Sequence, residues 1–174
     1  DENWDTDFAH EITGVSRFRV NVLRDRNGVA SVIEIARAMK AGKAKPRRSV
    51  LFVIVTAEEK GLLGSEYYGA NPLYPLATTV ANINMDGGST NGPARDISTS
   101  GNAALTLQDD LIRVGKAHGR TYAPDPNPSA GSFFRSDHFS FAKQGLPALS
   151  FGSGRDLVNG GVEAGKAAQE VYVR

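Results

Sequence analysis

The chain has 174 residues, 40% hydrophobic and 22% charged, which is enough apolar material for one folded domain with a core and argues against disorder. Lysine and arginine number 20 against 19 acidic residues, a formal charge of +1, so charge gives no reason to expect nucleic acid or an anionic membrane as partner. The absence of cysteine excludes disulfides, zinc fingers and thiol catalysis, and no apolar run approaches the roughly 20 residues that span a bilayer.

In chain order, the opening "DENWDTDF" has neither the basic nor the apolar region of a signal peptide. In "GVASVIEIARAMKAG", residues 28–42, Val29, Val32, Ile33, Ala36 and Met39 are offset from Glu34, Arg37 and Lys40. That stripe predicts an amphipathic helix with Gly42 as its stop. A short basic loop, "AKPRR", leads into "SVLFVIVTA", residues 49–57, whose unbroken β-branched and aromatic run predicts a strand buried on both faces. Residues 79–86, "TVANINMD", and 146–154, "LPALSFGSG", are predicted as two more strands, with a helix over 106–119. "NGPARD" and "APDPNPSAG" read as loops, with no internal repeat and no second-domain boundary. Helices alternating with buried strands predict a layered α/β fold with a largely parallel sheet.

Ligands of open α/β sheets bind beyond the carboxyl ends of the strands. Glu58 and Glu59 stand at one such end and Asp86 at another, while Asp137 and His138, in "FFRSDHFSF", precede the last strand. A histidine with several carboxylates at strand ends is a donor set suited to a divalent metal such as zinc. Two adjacent carboxylates repel unless a cation neutralises them, and a metal supplies one. Simpler roles exist for each residue. Glu58 and Glu59 could favour a helix N-terminus, Asp86 could form a turn before Gly87 and Gly88, and Asp137 could be an N-cap. His138 could be a structural histidine, His118 a helix C-cap, and the pair Phe133 and Phe134 a pocket wall.

Three stretches, "TAEEKGLLGSEYY", "ANINMD" and "RSDHFSFAKQGLPALSF", resemble the M28 zinc peptidases, mostly aminopeptidases with two zinc ions, and the resemblance runs from Trp4 to about Gly165. It implies a three-layer αβα fold of the zinc-peptidase type, similar to the phosphorylase/hydrolase class. It also implies Glu58 as the general base that deprotonates metal-bound water, Glu59 and His138 as ligands of one zinc, and Asp86 as a ligand of the other. The substrate it implies is a peptide or protein with a free N-terminus, with secretion or the periplasm as compartment.

The first part of the chain departs from that pattern. In "ENWDTDF", Trp4 and Asp5 match, but Asn3 stands where a zinc-binding histidine is expected. Asp5 corresponds to the residue that orients that histidine. In "NVLRDRNGVAS", a gapless alignment sets Arg24 at the bridging aspartate, and a shift of one residue makes Asp25 the bridge. His10 could replace the missing ligand only by giving up the Trp4 and Asp5 match. The expectation is a single peptidase domain over residues 1–174, without the family's N-terminal strands and C-terminal helix, with an open sheet edge that neighbouring chains could complete. The alternative to a peptidase is a weakened or inactive scaffold on the same fold.

Overall fold

Two seven-residue strands, β1 (Thr6–Ile12) and β2 (Ser16–Val22), pair antiparallel from Thr6 opposite Val22 to Ile12 opposite Ser16. The computed structural model describes residues 6–12, 16–22, 31–43, 46–86, 91–101 and 106–172, in two units, Asp1–Ile54 and Val55–Arg174. The boundary falls inside the run predicted as a strand, where the sequence shows no break.

In the first unit, α1 (Ser31–Ala41) matches the predicted helix, and Gly42 donates to the Ala38 carbonyl at 2.9 Å where the helix stops. Val32, Ile35 and Ala36 are half-buried, whereas Ile33 and Met39 of the predicted stripe are exposed. Residues 49–57 are a correction: they form no strand, and Val50 and Leu51 are each 45% exposed. A β-branched run fits a pleated surface only when a neighbouring strand provides one, and no ladder of the described residues includes this segment.

The second unit is built on a four-stranded sheet ordered β3-β6-β4-β5. Its strands are β3 (Asn82–Asn84), β4 (Asp96–Thr99), β5 (Thr121–Ala123) and β6 (Ala148–Ser153). The first half of β6, Ala148 to Ser150, runs parallel to β3, and its second half, Phe151 to Ser153, antiparallel to β4. β4 and β5 are parallel, so the sheet is mostly parallel, as the three-layer α/β reading requires. Ala148, Leu149 and Ser150 are all buried, the continuous burial of a central strand.

The helices are α2 (Leu63–Ala70), α3 (Thr106–Ala117), α4 (His138–Ala142) and α5 (Gly161–Tyr172). Phe141 of α4 packs with Leu146 and Ala148, and Tyr68, Leu76 and Ala142 close around them. Gly115 lets α3 lie directly on β4, since a methyl there would sit 2.6 Å from Ile97 Cδ1. The helix α5 follows the last strand, where the sequence reading expected none. Gly160, Gly161 and Gly165 lower the helix propensity of this stretch and hide it.

Candidate active site

Glu58 and Glu59 occupy a single 3₁₀ turn, Glu58–Lys60, placed before α2 rather than at its first turn. The turn is held by unusual backbone. Ala57 (φ 57°) and Leu62 (φ 62°) are left-handed non-glycine residues, and Gly61 (φ 98°) lies between the turn and Leu62. Each such residue costs about 1 kcal/mol or more and persists only where the surroundings enforce it, typically at functional sites. Enforcement comes from the Glu58 carbonyl, which accepts from Gly61 N (3.0 Å) and Leu62 N (2.9 Å), and from Gly64 N on the Thr56 carbonyl (3.0 Å). Burial pushes the Glu58 carboxyl up from its ordinary value, and the charges of Glu59, Asp137 and Asp86 push it further. These carboxylates therefore share one electrostatic neighbourhood.

Asp86 follows β3 by two residues and is fixed from both sides. Asn84 Nδ2 donates to its Oδ1 at 2.8 Å and Ser136 Oγ to its Oδ2 at 2.7 Å. Asn84 Nδ2 also lies 2.8 Å from Ser136 Oγ and 3.3 Å from Ser150 Oγ, which joins β3, β6 and the segment before α4. Asn84, Ser136 and Ser150 were not singled out from the sequence. The partnerships of Ser136 and Ser150 span 50 residues or more, beyond any local pattern, whereas Asn84 lies only two residues from Asp86.

His138 is fully buried at 0% exposure, and neither ring nitrogen has a hydrogen-bond partner among the described residues. Its ring stands edge-on to Phe133, with centroids 4.7 Å apart. Burial depresses its pKa, against the Asp86 charge, which raises it. Asp137 sits at the N-cap position but makes no side-chain capping bond, and its buried Oδ1 has no partner among the described residues. Burial raises the Asp137 carboxyl, the Ser65 hydroxyl opposes that rise, and Asp86 adds to it. Buried imidazole nitrogens left unpaired cost free energy that a bound cation would recover. The donor atoms fit zinc in type, nitrogen with carboxylate oxygen.

An open cleft of about 420 Å³ adjoins the turn, lined by Glu58, Glu59, Gly61, Leu62, Glu66, Phe134, Arg135, Phe139 and Lys143. Asp86 and His138 do not line it. Among the described residues no three His, Asp or Glu side chains are gathered into a group that could hold a metal ion, while the expectation divides Glu59 with His138 and Asp86 between two ions and includes Asp25, which lies outside the described residues. Asp5 and Asp25, with Asn3 and Arg24, lie outside the described residues, and of His10 only the backbone in β1 is described. His118 follows α3, its N–H bonded to the Val114 and Gly115 carbonyls (3.1 and 3.0 Å), with Gly119 (φ 72°) ending the helix.

The sequence profile of peptidase family M28 matches residues 25–172, and the chain belongs to that family. A curated relative, leupeptin-inactivating enzyme 1 of Streptomyces exfoliatus, is 29% identical over 145 residues, covering 80% of this chain and 31% of that protein. The solved structure of a zinc aminopeptidase from Bacillus subtilis superposes with a TM-score of 0.55 at 20% identity, covering 80% of this chain and 37% of that one, and shares the fold. The chain thus spans about a third of the length of these two proteins.

Proposed function

We propose that this chain hydrolyses peptide bonds and releases N-terminal residues, with Glu58 as general base and zinc held by Glu59, Asp86 and His138. Asp25 would complete the ligand set and Asp5 would support it. The observation that carries the reading is His138, fully buried, with neither ring nitrogen partnered among the described residues and within reach of the Asp86 charge, in a chain of a peptidase family. Zinc, when bound, supplies an acidified water and a charge that polarises a carbonyl.

The chain's own residues do the rest. Glu58, on a strained turn at the cleft, is placed to take a proton, and its neighbouring carboxylates favour its protonated form once it has done so. Asn84 and Ser136 hold Asp86 in one orientation. Secretion or export to the periplasm is proposed as the compartment.

The test is turnover of unblocked peptides by the zinc-loaded chain, beside E58Q. A loss of about 10²- to 10⁴-fold in kcat with zinc retained is expected of a lost general base. Normal hydrolysis by E58Q would overturn the mechanism. No chelator-sensitive turnover in the parent chain would favour the inactive scaffold.

A further inference from the structure

Among the described residues, the cleft beside the Glu58 turn holds one cation without a partner. Of its two basic residues, Lys143 is engaged twice, in an ion pair with Glu66 and over the Phe139 ring at 5.1 Å. Arg135 has no hydrogen-bond or ion-pair partner among the described residues and is exposed. Glu58 and Glu59, the other acids of the cleft, are assigned above to the proton and the metal, which leaves neither to pair with it.

Arg135 is also held in place through its backbone. It ends the 3₁₀ turn Ser132–Arg135, whose first residue donates from Oγ to Asp125 Oδ2 at 2.7 Å. The preceding side chain, Phe134, stacks edge-on against Phe139 at 5.2 Å and forms the adjoining apolar wall. A guanidinium on a pinned turn, next to aromatic edges, is arranged to hold a planar anion by paired N–H donors.

We infer that Arg135 binds a substrate carboxylate in this cleft, so that the preferred peptides carry one close to the cleaved bond. The carboxylate is that of an acidic side chain or of the C-terminus of a short peptide. The inference rests on the peptidase reading and adds the substrate class to it.

The zinc-loaded chain is assayed with three peptides: a trileucine amide, the same peptide as free acid, and the amide with glutamate at its second position. Binding of each is measured in parallel by calorimetry on E58Q. At least one carboxylate peptide is expected to exceed the plain amide about tenfold in kcat/KM and in affinity, and which one it is identifies the source. R135Q should collapse that ratio toward one, and R135K should keep part of it. A ratio near one in the parent chain, or the same ratio in R135Q, overturns the inference while hydrolysis itself still supports the peptidase. Carboxylate-selective binding that R135Q abolishes, without hydrolysis of any peptide, upholds the inference and removes the peptidase reading instead.

Discussion

Ser65 Oγ and Ser140 Oγ lie 2.9 Å apart in the buried seam between α2 and α4, and Ser65 also donates to the Leu62 carbonyl at 3.0 Å. This contact ties the helix behind the Glu58 turn to the helix that begins with His138. Both serines are essentially inaccessible, at 0% and 1% exposure, so truncating either leaves a buried hydroxyl without its partner. S65A should lower stability by about 1–2 kcal/mol. S65A/S140A should cost less than the sum of the two single changes, because the second removes a group already orphaned. Urea unfolding of the four proteins measures the coupling, and strict additivity would show that the two hydroxyls act independently.

The second prediction concerns the close approach behind the same turn. A methyl on Gly64 would lie 2.4 Å from the Thr56 carbonyl oxygen and 2.7 Å from Thr56 N, both backbone atoms that cannot rotate away. G64A should therefore push α2 off residues 55–56, at a cost of about 1–3 kcal/mol, and should lower peptidase activity by disturbing the 58–60 turn. Gly152 provides the contrast, since a methyl there meets nothing within 4 Å. G152A is expected within about 0.5 kcal/mol of the parent. Equal stability of G64A and G152A would refute the crowding argument.

Asp125 predicts a pH dependence. Burial alone would raise its carboxyl, but donation from Asn127 N, Ser132 Oγ and Gly101 N, with the Arg155 charge, brings it below its ordinary value of 3.8. A folded-state value below the unfolded one means that the unfolded chain takes up the proton first as pH falls. The stabilisation is thus complete above about pH 4 and is lost as pH drops through the lowered value. In D125N an amide N–H₂ must face donors that the carboxylate accepted at 2.7–2.9 Å, for a loss of about 1.5–3 kcal/mol at neutral pH. The gap between D125N and the parent should narrow in acid. A gap that stays constant down to pH 2 would contradict a charged Asp125 at this position.

The parts of the fold that were legible are those with local periodicity. The apolar spacing of α1 and the continuous run around β6 lie within single windows of sequence, whereas the run over 79–86 yields only the three-residue β3, with Ile83 58% exposed, and not a buried strand. β4 and β5, with four and three residues, are too short to leave a pattern. The hairpin was a missed signal, for Phe18, Val20 and Val22 alternate with Arg17, Arg19 and Asn21 at the two-residue period of a strand. Residues 49–57 fail for the opposite reason: their strand propensity is strong, but pairing is set by other segments. At the site, adjacent Glu58 and Glu59 and the strand-end position of Asp86 could be read directly. The Ser136 side of the clamp on Asp86 could not, because folding alone brings Ser136 to a residue 50 positions away, whereas Asn84, two residues before Asp86, was within reach of a local reading and was missed.

His138 supplies the last prediction, which separates a ligand from a structural histidine without any assay of activity. A structural histidine donates and accepts hydrogen bonds, so replacing it with leucine, similar in volume, destabilises the protein by about 1–3 kcal/mol. His138 has no such bonds among the described residues, and its buried nitrogens are a cost in the metal-free chain. H138L should therefore stabilise the chelator-treated protein by about 1 kcal/mol, the relief of two unpaired polar atoms exceeding the loss of the edge-on contact with Phe133. Added zinc should raise the Tm of the parent chain, since a ligand that binds only the folded state stabilises it by mass action, and should leave H138L close to its metal-free value. A metal-free H138L that melts below the parent, or one that zinc stabilises equally, would show that His138 is a structural residue and not a ligand.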